Sequence, residues 1–280
     1  MKLIAFLKQA PNQNMTAREL ADLALEMGYD GYDLPLRPGY PVNPANVRTA
    51  LPEAVKVMRQ SNLIVGMLTA GGDFLQASDP TAEPIFATMA ETGVRLIKLG
   101  YWRYDPAKDQ YWQRVEQIHA DLARWEKLAA KYNVQVCVHT HAGMLGRNVS
   151  EVMHLIRGFD PRRVGAYIDP AHLVAEGEPF SAAVGIAAEY LCAVGVKDVD
   201  LQKQTVNGHG KMAASFRIGC GLGWVDWTDV FATLARTKFD GMLSYHGLMD
   251  PNTYAAGKDW RAEIRREIGV IKDAMARASK

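Results

Sequence analysis

The sequence predicts a single closed barrel of eight strand–helix units, a (β/α)8 or TIM barrel covering residues 1–280. Three observations carry that expectation. Short apolar runs alternate with amphipathic stretches from one end of the chain to the other. The 280 residues suit eight such units, since a closed barrel of this kind typically takes ~250 residues. The competing doubly wound open sheet would show a G-x-G-x-x-G turn after a strand. The cluster Gly219, Gly221 and Gly223 instead sits in a loop before a helix, with no adjoining strand. Strands joined through helices run parallel, because each crossover returns the chain to the same end of the sheet.

Leu3–Leu7 reads as a buried first strand, and Thr16–Met27 as a helix opened by a Thr16-x-x-Glu19 capping box, with Leu20, Leu23 and Met27 on one face. Gly31–Leu34 is the second strand, followed by a Pro-rich loop and a helix over Leu51–Arg59. Leu63–Leu68 is the third strand, and its helix runs near Thr81–Thr92 and stops at Gly93. Val94–Leu99 precedes a long helix with Val115, Ile118, Leu122, Trp125 and Leu128 spaced three or four apart. Val134–Val138 leads to a helix begun by Asn148-x-x-Glu151, and Val164–Ile168 to one over Ser181–Glu189. The seventh strand, Leu191–Val196, is followed by a long loop and a helix at Trp227–Arg236. Met242–Tyr245 is the eighth strand, and the last helix carries Trp260, Ile264, Ile268, Ile271 and Met275 on one stripe.

Composition narrows the function classes. With 48% hydrophobic residues and a net charge of +1, the chain is neither disordered nor a typical nucleic-acid binder. No run of ~18 apolar residues is present, so no membrane span is expected. Three widely spaced cysteines, Cys137, Cys192 and Cys220, suit reduced thiols and a cytoplasmic location. The expected partner is a small molecule, with no organic cofactor and with room for a homo-oligomer.

Chemistry in such a barrel collects at the carboxyl ends of the strands. Those ends carry Asp33, Lys98, His139 with His141 just beyond, Asp169 with His172, Lys197 and His246. Alternation points His139, Asp169 and His246 inward, each sharing parity with an inward neighbour (Cys137, Tyr167 and Ser244). Two imidazoles and one carboxylate could hold a divalent metal, with Mn, Fe, Co, Ni or Zn suiting imidazole better than Mg. The alternative is a polar mouth whose groups bond one another. Lys98 and Lys197 could polarise a carbonyl, bind phosphate or form a Schiff base, or could be ion-paired with neighbours such as Asp33 or Asp198. Trp102 could form an apolar wall against a sugar ring or pack over the rim. The long Lys197–Val225 loop is expected to act as a lid, with Arg217 reaching a phosphate or carboxylate.

Five segments together resemble the xylose isomerase-like TIM barrels grouped as sugar phosphate isomerases and epimerases. They are Gly28-Tyr29-Asp30-Gly31-Tyr32-Asp33-Leu34, Val164-Gly165-Ala166-Tyr167-Ile168-Asp169-Pro170-Ala171-His172, Val196-Lys197-Asp198, Gly221-Leu222-Gly223-Trp224-Val225-Asp226-Trp227 and Phe239-Asp240-Gly241-Met242-Leu243-Ser244-Tyr245. The resemblance implies a sugar or keto-sugar substrate and one divalent ion held by Glu, Asp, His or Gln, and Glu after strands five to eight. Those positions fall on His139, Asp169, Gly195 and His246, so only Asp169 matches. It also implies that His172 contacts substrate. The expected activity is metal-assisted isomerisation or epimerisation by proton transfer next to a carbonyl, with His246, Lys197 and His139 catalytic. A keto-sugar dehydratase or a catalytically inactive sugar-binding barrel is the alternative. If His246 is the base, His141 or His172 must replace it as a metal donor; if it is a ligand, Lys197 or a metal-bound hydroxide must serve as base. A related trinuclear-zinc endonuclease is set aside, because strands three and four end in Met67, Leu68 and Thr69, and in Lys98, Leu99 and Gly100, without histidine.

Overall fold

In the computed structural model, which describes residues 1–6, 15–247 and 259–278, eight parallel strands close into a barrel. Strand β1 (Lys2–Phe6) is followed by α1 (Ala17–Met27), β2 (Gly31–Leu36), α2 (Val47–Gln60), β3 (Ile64–Ala70), α3 (Ala82–Thr92) and β4 (Leu96–Lys98). Then come α4 (Tyr111–Tyr132), β5 (Gln135–His139), α5 (Val149–Ile156), β6 (Val164–Ile168), α6 (Pro170–Glu176), α7 (Phe180–Ala187) and β7 (Leu191–Val196). A hairpin of β8 (Asp200–Val206) and β9 (His209–Ser215) precedes α8 (Trp227–Arg236), β10 (Met242–Tyr245) and α9 (Trp260–Ala278). The barrel closes in the order β1-β10-β7-β6-β5-β4-β3-β2. The expected end of the first strand at Leu7 lies outside the described residues.

Local signals account for the helix ends. At α1 the Glu19 N–H donates to Thr16 Oγ1 at 3.3 Å and the Thr16 N–H donates to the Glu19 carboxylate at 2.8 Å, the reciprocal cap expected from the spacing. Gly28 ends the same helix at φ +76°, a left-handed conformation that costs glycine nothing.

Three segments differ from expectation. Helix α2 begins four residues earlier than Leu51, because Pro52 forfeits only one hydrogen bond near the helix start. Between β6 and β7 the chain forms two helices rather than one: Asp169 accepts the Ala171 N–H at 3.0 Å as the α6 cap, and Pro170 fills the first helical position. The long loop after β7 is largely the antiparallel β8–β9 hairpin, turning at Asn207 and Gly208, both at positive φ.

Two cores follow from strand alternation. Val136, Val138, Val164, Ala166, Ile168, Val194, Val196 and Leu243 point outward and pack under the helices. Ile4, Met67, Leu96, Cys137, Tyr167 and Ala193 fill the barrel interior. The next inward positions toward the carboxyl ends are polar, and they build the mouth.

Candidate active site

Four strands deliver the central group. His139 ends β5, Asp169 follows β6 and caps α6, Lys197 follows β7, and His246 follows β10. His172 lies in the first turns of α6, which the Asp169 cap aims back across the mouth. Asp169 is the hub, fully buried, with Oδ2 at 3.1 Å from Lys197 Nζ, 3.4 Å from His139 Nε2 and 3.8 Å from His172 Nε2. Its backbone N–H donates to the Thr140 hydroxyl at 2.8 Å, which fixes the turn out of the strand.

The imidazoles interlock. The His141 ring lies 4.2 Å from that of His172, and His139 lies 5.8 Å from His172 and 6.1 Å from His246, centroid to centroid. His246 places Nε2 at 2.7 Å from the Tyr167 hydroxyl, while its backbone N–H donates to Val196 across to β7. Tyr101 contacts His139 Nδ1 at 3.0 Å through its hydroxyl, packs its ring 4.5 Å from His141 and carries the Lys98 ammonium at 3.6 Å from its ring. On the far side Asp33 accepts hydrogen bonds from the Thr69 and Ser244 hydroxyls, each at 2.8 Å.

Burial sets the protonation states. It pushes His139 down to about 3 against the opposing pull of Asp169, and His141 down to about 4. It also holds His172 and His246 well below the ordinary imidazole value, so all four rings are neutral at pH 7. Burial alone would raise the Asp169 carboxyl, but the Lys197 ammonium and the His172 and His139 rings hold it well below the usual range. Asp33 goes the other way: burial pushes it up to about 6, moderated by the two hydroxyls and by Lys98 and Arg37. The mouth therefore combines neutral proton acceptors, an ionised carboxylate and two buried lysine side chains.

The remaining sequence-derived candidates divide. Trp102 is buried in the outer core, 2% exposed, and Tyr101 rather than Trp102 presents its ring to the mouth. Arg217 is exposed; its neighbour Phe216 is the residue the hairpin returns to the site, 4.4 Å from the His172 ring and 4.7 Å from Lys197 Nζ. Lys197 pairs with Asp169, not with Asp198, which accepts the N–H groups of Val199, Gly221 and Val225 and pins the loop ahead of α8.

The divalent metal implied by the resemblance is testable on these atoms. His139 Nε2 and Asp169 Oδ2 face each other at 3.4 Å, both buried, as two adjacent ligands would, with Lys197 Nζ at 3.1 Å from the same oxygen. A third donor is missing. His246 forms no ligating group with this pair, its ring lying 6.1 Å from that of His139 and its Nε2 turned to Tyr167, and Gly195 has no side chain; a Cβ there would meet Asp169 Cγ at 2.9 Å. Among the described residues no group of three His, Cys, Asp or Glu side chains could hold a metal ion. The expected set of His139, Asp169 and His246 thus supplies two facing donors and does not fit a complete site.

A closed parallel barrel with buried imidazoles, carboxyl groups and lysines gathered at the carboxyl ends of its strands is a TIM barrel with its candidate site at the end where such folds carry their chemistry. Residues 21–274 match the xylose isomerase-like TIM barrel family, and the chain belongs to it. Among curated proteins it is similar to the inosose dehydratase of Bacillus velezensis, 26% identical over 149 residues; the match spans 51% of this chain and 49% of that protein. Solved structures share the fold. The 3-keto-D-glucoside 4-epimerase YcjR from E. coli has a TM-score of 0.71 at 19% identity, covering 100% of this chain and 99% of that one. The IolI protein, solved with a bound zinc atom, has a TM-score of 0.75 at 15% identity, with 99% of each chain covered.

Proposed function

We propose that the mouth is the active site of an enzyme that moves a proton at the carbon next to a carbonyl of a sugar or keto-sugar, isomerising or epimerising it. The observation that carries this reading is the set of neutral imidazoles gathered around the Asp169–Lys197 pair. A neutral ring can take the carbon-bound proton, and the charge left on oxygen needs a fixed positive partner. His246 is the base in this reading, through Nδ1, in the tautomer whose Nε2–H donates to the Tyr167 hydroxyl; His139 is held by Tyr101 and Asp169, and His172 and His141 line the substrate's path. Lys98 and Asp33 bind hydroxyls at the opposite wall.

Dehydration of a keto-sugar is a second reading, favoured by the match to inosose dehydratase. It starts with the same proton abstraction and ends with loss of a hydroxyl as water. The zinc held by IolI supports a divalent ion in this family of barrels. The donors of this chain fall short of a complete site, so no step here is assigned to a metal. An inactive sugar-binding barrel would gain nothing from burying an ion pair and four neutral rings, an arrangement that is costly to assemble. Three free cysteines support a cytoplasmic location.

The test is solvent-deuterium incorporation, followed by NMR, over a panel of ketoses, 3-keto-glycosides and inososes. Exchange without loss of water supports epimerisation or isomerisation; exchange with water loss supports the dehydratase. No incorporation into any member rejects both.

A further inference from the structure

The space a metal would take beside Asp169 is filled by a side chain of this chain. Lys197 is 6% exposed, and its ammonium lies 3.1 Å from Asp169 Oδ2 and 2.6 Å from His172 Nε2. The Phe216 ring covers it at 4.7 Å. An ion bound to that carboxylate would sit ~2.0–2.2 Å from its oxygen. A cation already 3.1 Å from that oxygen balances its charge and would repel a divalent ion there. Gly195 completes the exchange, because the Asp169 carboxylate leans into the volume that a donor side chain from β7 would need.

We propose that the Lys197 ammonium is the resident cation of this mouth, in place of a divalent metal, and that it receives the oxyanion formed on the substrate. The second half rests on the proton-transfer reading above; the first stands on geometry alone.

The contact with His172 shows how the ammonium becomes available. The ring offers Nδ1 to the Ala142 N–H at 3.2 Å and Nε2 to Lys197 at 2.6 Å. A neutral imidazole has one nitrogen with a free lone pair, so it cannot accept from both. One donor is therefore poorly satisfied until another acceptor arrives. A substrate carbonyl oxygen at Lys197 Nζ is such an acceptor, while Asp169 keeps the ammonium in place. When the base removes the adjacent carbon proton, the C–H electron pair becomes the new C=C bond and the carbonyl pair moves to oxygen. The anion then forms against a charge that is already positioned, and return of a proton to carbon regenerates the carbonyl.

Cobalt(II) is the probe for the first half. EDTA-treated full-length protein is incubated with cobalt chloride, desalted and examined for metal content and visible d–d absorption. The expected result is under a tenth of an equivalent and no bands; one equivalent with ligand-field bands lost in His139→Ala overturns the proposal. For the second half, deuterium exchange should be unchanged within twofold by EDTA, fall at least a hundredfold in Lys197→Gln, and recover in part in Lys197→Arg. Exchange abolished by EDTA and restored by zinc or manganese overturns it. If no sugar exchanges at all, the proposed function fails, and the cobalt result still decides whether lysine or metal holds the mouth.

Discussion

Two inward layers of the same barrel, one step apart along the strands, are equally buried and chemically opposite. Leu96, Cys137 and Tyr167 belong to the lower layer; Lys98, His139 and Asp169, two residues further along the same chain segments, belong to the upper. Exposure does not separate them: Leu96 is 7% exposed and Cys137 and Tyr167 are fully buried, against 1%, 4% and 0% for the three polar side chains. Apart from the Tyr167 hydroxyl, which reaches up to His246, the lower layer fills space with dispersion contacts that each contribute a little. The upper layer has replaced water by its own charges and dipoles, so each group depends on the others. A substitution of an apolar side chain below should therefore cost stability alone, and one above should cost function and stability together.

The largest effect is expected at the hub of the upper layer. Asp169→Asn keeps the shape and the acceptor for the Ala171 N–H but leaves the Lys197 ammonium without its carboxylate. Breaking a buried pair from one side costs about 3–5 kcal/mol, to be read from urea unfolding. Exchange activity should fall about a thousandfold, which corresponds to ~4 kcal/mol. In the lower layer Met67→Ala, at a fully buried position, should cost about 2–5 kcal/mol of stability. Its exchange rate per folded molecule should stay within twofold. Comparable loss of activity in both variants would show that the layers are coupled.

Asp33 tests the upper layer by pH. Its folded carboxyl is raised to about 6 from 3.8, so its contribution to stability is full below about 3.8 and is lost as pH rises through about 6. His139 and His141 are lowered to about 3 and about 4 from 6.5, so the folded state resists their protonation and loses stability as pH falls below 6.5. His172 and His246 are lowered as well, so between about pH 4 and 6 the unfolded chain binds up to four more protons at the rings, and the folded chain one more at Asp33. Stability therefore rises with pH across that window, less steeply than the rings alone would make it. Asp33→Asn should steepen the rise by one proton, ~1.4 kcal/mol per pH unit, in urea titrations at pH 4 to 6. An unchanged slope would mean that the carboxyl is ionised in the folded state throughout.

The legible part of the site is the part that strand alternation controls. A period of two leaves no freedom once a strand is identified, which is why Asp33, Lys98, His139, Asp169 and Lys197 could be assigned to one mouth from their positions alone. The same rule argues against an ion pair between Lys197 and Asp198, since consecutive residues leave a strand on opposite sides, and the carboxylate came from the neighbouring strand instead. Two further signals were present in the chain. Asn207-Gly208 between alternating segments marks a hairpin, and Asp169-Pro170 marks a helix start. Beyond the strands that leverage disappears. In a returning hairpin a shift of one residue exchanges the faces, and this separates Phe216 over the lysine from Arg217 in solvent. The choice between Tyr101 and Trp102 after β4 has the same origin.

That one-residue distinction gives the smallest expected effect. Phe216 shields Lys197 from one side, half-buried and outside the barrel's hydrogen bonding. Removing a ring from over this ammonium is worth about 1 kcal/mol, so Phe216→Ala should raise KM roughly fivefold. It should leave kcat nearly unchanged and lower the melting temperature modestly, because the half-buried ring also packs against the outer core. Arg217→Ala is the paired control. Its guanidinium is solvated and the residue contributes no contact to the Asp169 cluster among those described, so KM should not move. If Arg217→Ala raises KM more than Phe216→Ala does, the hairpin must close over substrate with the arginine inward. The substrate would then carry a phosphate or carboxylate that the upper layer does not itself require.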